Sequence, residues 1–373
     1  MDTKKVPLKK AVGRVLAAPV VAQITQPPFA ASVMDGYALN GIEADDDAQF
    51  MVIGESAAGH RFEGKIGAGQ AVRIFTGAPI PEGATRVIIQ EDVTVSGKII
   101  TLGKNMDAGP YIRPAGADFA KGDTIDAPRR ITASDVALFA AMNVPMVEVF
   151  KRPRVAIIAT GDELVTPGDT PGPDQIIASN NYGLFALCKT LGAKPKLLPV
   201  ARDTEQSLKA AFGKAQGADL IVTIGGASVG DHDLVGKVAE TMGMERAFYK
   251  VAMRPGKPLM AGRLGGTAMI GLPGNPVSSM VCGHLFMAPM IRAMMGFDKS
   301  PPMRLRAKLT TAISANGPRE HFMRATIQDG EITAYSRQDS ALLTVLANAN
   351  ALLVRPPHGD ALQAGDMVDY IAL

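Results

Sequence analysis

The chain has 373 residues, of which 47% are hydrophobic and 20% charged, with a formal net charge of +3. At roughly 100–200 residues per domain this predicts two to four domains with filled cores and excludes wholesale disorder. So small a charge gives no broad electrostatic case for binding nucleic acid or a membrane.

Lys4, Lys5, Lys9 and Lys10 make a basic start that Val6 and Pro7 interrupt, which reads as a solvated end. Leu8 to Leu16 has a helical spacing weakened by Gly13, and Pro27-Pro28 forces an extended path. Ser32 to Ala38 reads as a strand entry or loop that presents Asp35 to one side. From 40 to 128 glycines punctuate short β-elements. Ala71–Phe75 and Arg86–Val93 are strand-like, and Val93–Leu102 reads as a hairpin turned at Ser96-Gly97. Ser134–Met142 follows as a helix capped by Thr132 or Ser134, then a strand over Val144–Phe150.

Beyond 153 the pattern changes. Strands near Arg154–Ala159, Lys196–Val200, Asp219–Ile224 and Thr267–Gly271 alternate with helices near Asn180–Leu191, Thr204–Gln216, Asp233–Met242 and Pro276–Met295. That order predicts a parallel sheet with helices on both faces, whose ligands bind beyond the carboxyl ends of the strands. From 301 onward the expected elements are short strands again, with a short helix near Ala341–Ala347, giving a small barrel or sandwich. Cys188 and Cys282 are isolated and no CxxC or Cys/His spacing occurs, so a structural zinc site is not expected and a reduced, cytoplasmic compartment fits. The first residues lack a signal-peptide core, and no run of about 18 uncharged apolar residues occurs. Of five scattered histidines, His232 sits in a glycine loop and reads as a loop residue, not a base.

Three glycine-bearing loops fall at the expected strand ends: Thr160-Gly161-Asp162-Glu163, Gly225 to Asp233, and Leu272 to Pro276. Gly225 and Gly226 let a ligand approach the main chain, and a helix starting after Asp233 would aim free N–H groups at the loop. An ordinary βα turn capped by Asp is the alternative. Asn275 and Pro276 fit a cap and first helical position, giving a second helix start at that edge. Lys250, Arg254 and Lys257 concentrate cations where prolines and a glycine prevent helix, which suits phosphate binding or a solvated loop. Asp162, Glu163, Asp203, Asp231 and Asp233 offer the hard oxygen ligands that Mg²⁺ prefers. No Ser-His-Asp or Cys-His set points to covalent acyl chemistry.

Six motifs occur in one order: Ser32-Val33-Met34-Asp35-Gly36-Tyr37-Ala38, Thr76-Gly77-Ala78-Pro79, Thr160-Gly161-Asp162-Glu163-Leu164, Gly225-Gly226-Ala227-Ser228-Val229-Gly230-Asp231, Pro255-Gly256-Lys257-Pro258 and Leu272-Pro273-Gly274-Asn275-Pro276. From about residue 6 to the C-terminus the chain resembles the molybdopterin molybdenumtransferase family (MoeA, and the E domain of gephyrin). The resemblance implies an α/β multidomain fold: a central MogA-like three-layer αβα sheet domain (151–300), a β-rich inserted domain (23–127), a linker and dimerisation segment (1–22 with 128–150) and a C-terminal small β-barrel domain (301–373). It implies insertion of molybdate into adenylylated molybdopterin with release of AMP, assisted by Mg²⁺, in a homodimer that has transient contact with other molybdenum cofactor enzymes.

Carried over by motif, Asp35, Thr76, Glu163, Asp203 and Asp233 would be catalytic, and Glu163, Asp203 and Asp231 would hold the metal. Arg113, Asp118, Gly225, Gly226, Ser228, Lys250, Arg254, Lys257, Pro273, Gly274 and Asn275 would bind substrate. Family dimers place the site between the sheet domain of one subunit and the small β-domain of the other. Some positions depart from the pattern: Ala117 replaces a usual acid, Asn181 a usual Arg, and Arg254 a common Lys. Two alternatives stay open, the preceding adenylylation of molybdopterin by ATP and a non-catalytic molybdopterin-binding scaffold.

Overall fold

The structure, a computed structural model, describes residues 2–226 and 234–373. The chain forms two compact units. One is Phe150–Leu373 with Gly13–Ala17 and the first residues up to Lys4; the other is Lys5–Val12 with Ala18–Val149.

In the second unit a six-stranded sheet runs in the order Arg86–Ile89, Gly36–Leu39, Gln70–Ile74, Gln49–Ser56, Ile99–Leu102, Val93–Ser96. Side chains of alternating parity fill two cores, Leu39, Ile88 and Ile100 in one and Ala38, Val72 and Val87 in the other, as a period of two requires. The hairpin Val93–Leu102 turns at Gly97, whose φ of 63° favours glycine. Helix Ala133–Ala141 starts with a capping box: the Thr132 hydroxyl accepts from the Asp135 amide, and the Asp135 carboxylate accepts from the Thr132 amide. Asp135 is 4% exposed and also pairs with Arg129 at 2.7 Å.

The expected helix at Leu8–Leu16 does not form. Strand Thr3–Pro7 is followed by a 3-10 turn at Leu8–Lys10 and a strand at Val15–Leu16. Gly13, with φ of 73°, breaks the helical run and Val15 favours extended backbone.

In the first unit the sheet order is Lys194–Leu197, Arg154–Ala159, Leu220–Ile224, Thr267–Leu272, Met260–Leu264, Met244–Tyr249. The first four strands are parallel. The last two are antiparallel, so the sheet is mixed and not all-parallel as expected. The short, glycine-bearing link Gly265-Gly266 joins 260–264 to 267–272, and so tight a link permits only a hairpin. Val155 and Ile157 pack with Leu184, Val277 and Val281 on one face; Ala156 and Ile158 pack with Leu208, Phe212 and Val235 on the other. The result is a three-layer αβα sandwich.

The long helix Pro276–Met294 is apolar and long enough by composition to cross a membrane, yet 56% of that window is buried inside the fold. It widens into a π turn at Gly283–Met287, just before Pro289, which lacks the N–H a regular turn would need. Strands Leu305–Leu309, Glu320–Gln328, Glu331–Ala334, Ala351–Arg355 and Met367–Ala372 close into a five-stranded barrel, because Glu320–Gln328 pairs with both Glu331–Ala334 and Ala351–Arg355. Met253–Arg254, in the basic loop of the sheet domain, adds a parallel edge with Arg254 opposite His321.

His321 is 8% exposed, and burial, then Arg254, Arg324, Arg355 and Arg319, push its pKa from 6.5 down to about 4. The unfolded chain therefore binds a proton between those values that the folded chain refuses, and stability falls as pH drops through that window. The urea midpoint of His321→Gln should lose less than that of the unsubstituted chain between pH 6.5 and pH 4. Thr132→Ala should cost about 1 kcal/mol in urea denaturation, because the hydroxyl that caps the Asp135 amide is removed.

Candidate functional site

Three parallel strands end level with one another, Ala159 beside Ile224 and Ile224 beside Leu272. The ladder runs one step further: the Thr160 amide donates to Ile224 O at 2.9 Å and the Gly225 amide to Leu272 O at 3.1 Å. The loop after each strand must then leave from the same edge. There a cavity of about 470 Å³ opens, walled by Gly161, Glu163, Asp203, Gly225, Gly226 and the Pro273-Gly274-Asn275 turn.

Gly225 and Gly226 are sterically required. Gly225 has φ of 88°, and a Cβ there would come within 2.8 Å of the Thr160 carbonyl oxygen. Gly226 has φ of 64°, and a Cβ would run into the Val235 side chain. Gly274 lies against Gly225, its would-be Cβ only 3.6 Å from the Gly225 Cα. Asn180 Nδ2 donates to Gly274 O at 2.7 Å and fixes this turn to the start of helix Asn180–Thr190.

Asp203 follows the edge strand, and its amide donates to Asp162 Oδ1 at 3.3 Å. Lost solvent around Asp203, then the charges of Asp162 and Glu163, raise its pKa. Among the described residues neither Glu163 nor Asp203 has an ion-pair partner, so this wall carries uncompensated negative charge. Ser228, Asp231 and Asp233 lie outside the described residues.

Asn275 departs from expectation. It sits at the cap position of helix Pro276–Cys282 without a side-chain cap bond; its Nδ2 donates to Ser340 Oγ at 3.1 Å in the barrel domain. The Val277 amide donates to Ser340 O at 3.0 Å, so the barrel is latched to the third cavity loop. Lys250, Arg254 and Lys257 do not line the cavity, although Pro258 does. They surround a tight loop in which the Val251 amide donates to Lys257 O at 3.0 Å and the Lys250 ammonium lies 4.9 Å from the Tyr249 ring.

Sequence reading missed Ser340 and Arg324. Arg324 is fully buried (0% exposed); its Nη2 donates to Asp339 O at 2.9 Å, while Nε and Nη1 have no partner among the described residues. Arg254 lies near enough that its charge, after burial, lowers the Arg324 pKa. A guanidinium buried in part without acceptors is costly, and an anion is its natural complement. The available signal was a cation at the same strand parity as buried Phe322.

The other unit holds the remaining residues. Asp35 sits in the turn between strands Ala31–Ser32 and Gly36–Leu39. Its Oδ1 accepts from the Thr76 amide and hydroxyl, each at 2.7 Å, and these bonds, then Arg73, lower its pKa. The Thr76-Gly77-Ala78 loop is zipped to Ser32 by Gly77 N to Ser32 O at 2.8 Å and Ser32 N to Ala78 O at 3.0 Å. Arg113 stands opposite Ala31, and the Asp118 amide donates to Gln26 O at 3.1 Å. Asp35, Thr76 and Arg113 thus share one neighbourhood, while Asp118 is held at Gln26, outside any strand.

Family sequence models match three parts of the chain: "MoeA N-terminal region (domain I and II)" over 1–143, "Probable molybdopterin binding domain" over 156–293, and "MoeA C-terminal region (domain IV)" over 306–373. The chain is 34% identical over 371 residues to a molybdopterin molybdenumtransferase of Nostoc sp., covering 95% of this chain and 85% of that protein. It is 33% identical over 377 residues to one of Haemophilus influenzae, covering 98% and 93%. A crystal structure of the molybdopterin biosynthesis moeA protein from Pyrococcus horikoshii superposes with a TM-score of 0.85 at 30% identity, covering 100% of this chain and 94% of that one. With near-complete coverage at that identity, the chain belongs to the MoeA family.

Proposed function

We propose that this protein is a molybdopterin molybdenumtransferase that inserts molybdate into adenylylated molybdopterin and releases AMP, acting in the cytoplasm as a homodimer. The observation that carries the reading is the divided charge of the sheet edge. Uncompensated carboxylates wall the cavity, and Lys250, Arg254 and Lys257 flank it on the loop that supplies the lining residue Pro258. A ligand that is itself divided, with a phosphate group and a separate oxometalate, complements such a surface. The family names of its relatives support the same reading.

The donor set fits Mg²⁺. Glu163 and Asp203 are hard oxygen ligands, and the raised Asp203 pKa marks a place where positive charge is wanting. No cluster of three ligating side chains is present among the described residues. When bound, Mg²⁺ polarises the phosphoanhydride. Asp231 joins Glu163 and Asp203 as a proposed ligand by its place in the motif.

The protein's own residues supply the rest. Gly225 and Gly226, without side chains, let phosphate oxygens approach the main chain; Pro273, Gly274 and Asn275 shape the facing wall. Lys250, Arg254 and Lys257 neutralise oxyanions. Asp35, kept ionised by Thr76, contributes to the same reaction, with Arg113 and Asp118 binding substrate. Ser228 and Asp233 are assigned by motif alone.

Purified protein with Mg²⁺ should release AMP from adenylylated molybdopterin only when molybdate is added, and a chelator should stop it. Asp35→Asn and Glu163→Gln should each slow release by roughly a hundredfold or more. No release, or consumption of ATP with unadenylylated molybdopterin instead, contradicts the assignment. Unchanged cofactor synthesis in both variants would point to a scaffold.

A further inference from the structure

Asp35 does not hold its own position. It ends the short turn Val33-Met34-Asp35 between two short strands; Ser32 Oγ donates to Met34 O at 2.6 Å and Thr76 bonds the carboxylate, which leaves the Asp35 and Gly36 carbonyls to be fixed from elsewhere. Gly36 cannot carry a side chain, since a Cβ there would overlap the Ile88 carbonyl, so nothing on the neighbouring residue braces the turn.

The brace comes from the adjacent strand. Arg73, on strand Gln70–Ile74 and opposite Tyr37 in the ladder, donates from Nη1 to Gly36 O at 3.2 Å and from Nη2 to Gln90 Oε1 at 2.6 Å. The Gln90 amide in turn donates to Asp35 O at 3.1 Å. Both carbonyls of the Asp35-Gly36 pair are therefore held, one by the guanidinium and one by the residue it grips. The guanidinium carbon also lies 5.0 Å from the Tyr37 ring and 4.9 Å from the Phe75 ring. Tyr37 follows Gly36 and Phe75 precedes Thr76, so one planar cation touches the backbone neighbours of both halves of the Asp35–Thr76 pair. Lysine has neither the fork nor the flat face for this arrangement.

We propose that Arg73 is a positioning residue for the transferase reaction: it clamps the Asp35 turn against the Thr76 loop and holds the Asp35 carboxylate in one orientation. The inference rests on the function proposed for Asp35. Arg73 is partly exposed and carries no ion pair to a carboxylate among the described residues, so its fork is spent on the turn. A reaction that depends on a fixed carboxylate loses rate when it is displaced by an ångström, even if substrate still binds. Among the described residues Arg73 is the charged group that acts on Asp35; its other partners are the Thr76 amide and hydroxyl.

The test uses the full-length chain and the variants Arg73→Met and Arg73→Lys, read by AMP release and by carbon-13 NMR of the Asp35 carboxyl. Arg73→Met should lower kcat roughly ten- to a hundredfold with little change in KM. The Asp35 carboxyl should titrate at higher pH than in the unsubstituted chain. Arg73→Lys should restore that titration but recover kcat only in part, which separates charge from fork. If Arg73→Met is folded by circular dichroism and the Asp35 titration and kcat are both unchanged, the clamp is refuted. It is refuted equally if kcat falls only in proportion to lost folded protein. Full activity in Asp35→Asn would instead overturn the function proposed for Asp35, while the NMR titration still decides whether Arg73 grips it.

Discussion

The level ending of strands Arg154–Ala159, Leu220–Ile224 and Thr267–Leu272 is the constraint on which the site depends. Parallel pairing fixes where each strand stops, and hydrophobic packing on both faces forbids exit anywhere but the end. A slip of one residue would send Ala156 and Ile158 to the face now filled by Val155 and Ile157, so the register is strongly specified. The three loops meet because their strands cannot end anywhere else. Gly274 then packs in van der Waals contact with Gly225.

Charge is laid over that frame in two parts. Carboxylates gather at the cavity wall, where Asp162 and Glu163 disfavour ionisation of Asp203. Cations gather in the barrel domain and in the loop that pairs with it. Arg355 and Arg324 show the difference between structure and readiness. Arg355 gives its Nη atoms to the carbonyls of Ser314, Gly359 and Asp360, and so ties a loop down. Arg324 keeps Nε and Nη1 unspent. Asn275, which forgoes its helix cap to reach Ser340, carries the barrel to the edge of the cavity. The charge division is therefore built by tertiary contact and not by any single motif.

How much of this could be read in advance depends on range. The alternating β and α elements, the Thr132 cap and the Gly97 hairpin are local, and periodicity and turn chemistry exposed them. The glycine loops were legible because a strand followed by glycine has few other uses. Their convergence came from the parallel sheet alone. The strands Met244–Tyr249 and Met260–Leu264, which pair antiparallel, escaped notice, because their mixed sequences lack a clean alternation. Leu8–Leu16 misled because Gly13 and the strand partners outweigh a short helical spacing. Ser340 and Arg324 were missed because their role exists only once the barrel closes on the sheet domain. Lys250, Arg254 and Lys257 were found as a basic loop, but the sequence could not show that the loop borders the cavity without lining it. Asp231 and Asp233, read as site residues, fall outside the described residues.

The claim that one sheet edge receives the phosphate end of a divided ligand is tested most directly by a crystal structure with adenylylated molybdopterin and molybdate bound. The account predicts phosphate oxygens packed against the Gly225-Gly226 main chain, with Glu163 and Asp203 facing the phosphate through a cation and an oxyanion against Lys250, Arg254 or Lys257. Ligand bound at any other face of the sheet domain, with Glu163 and Asp203 turned away from it, would contradict the account.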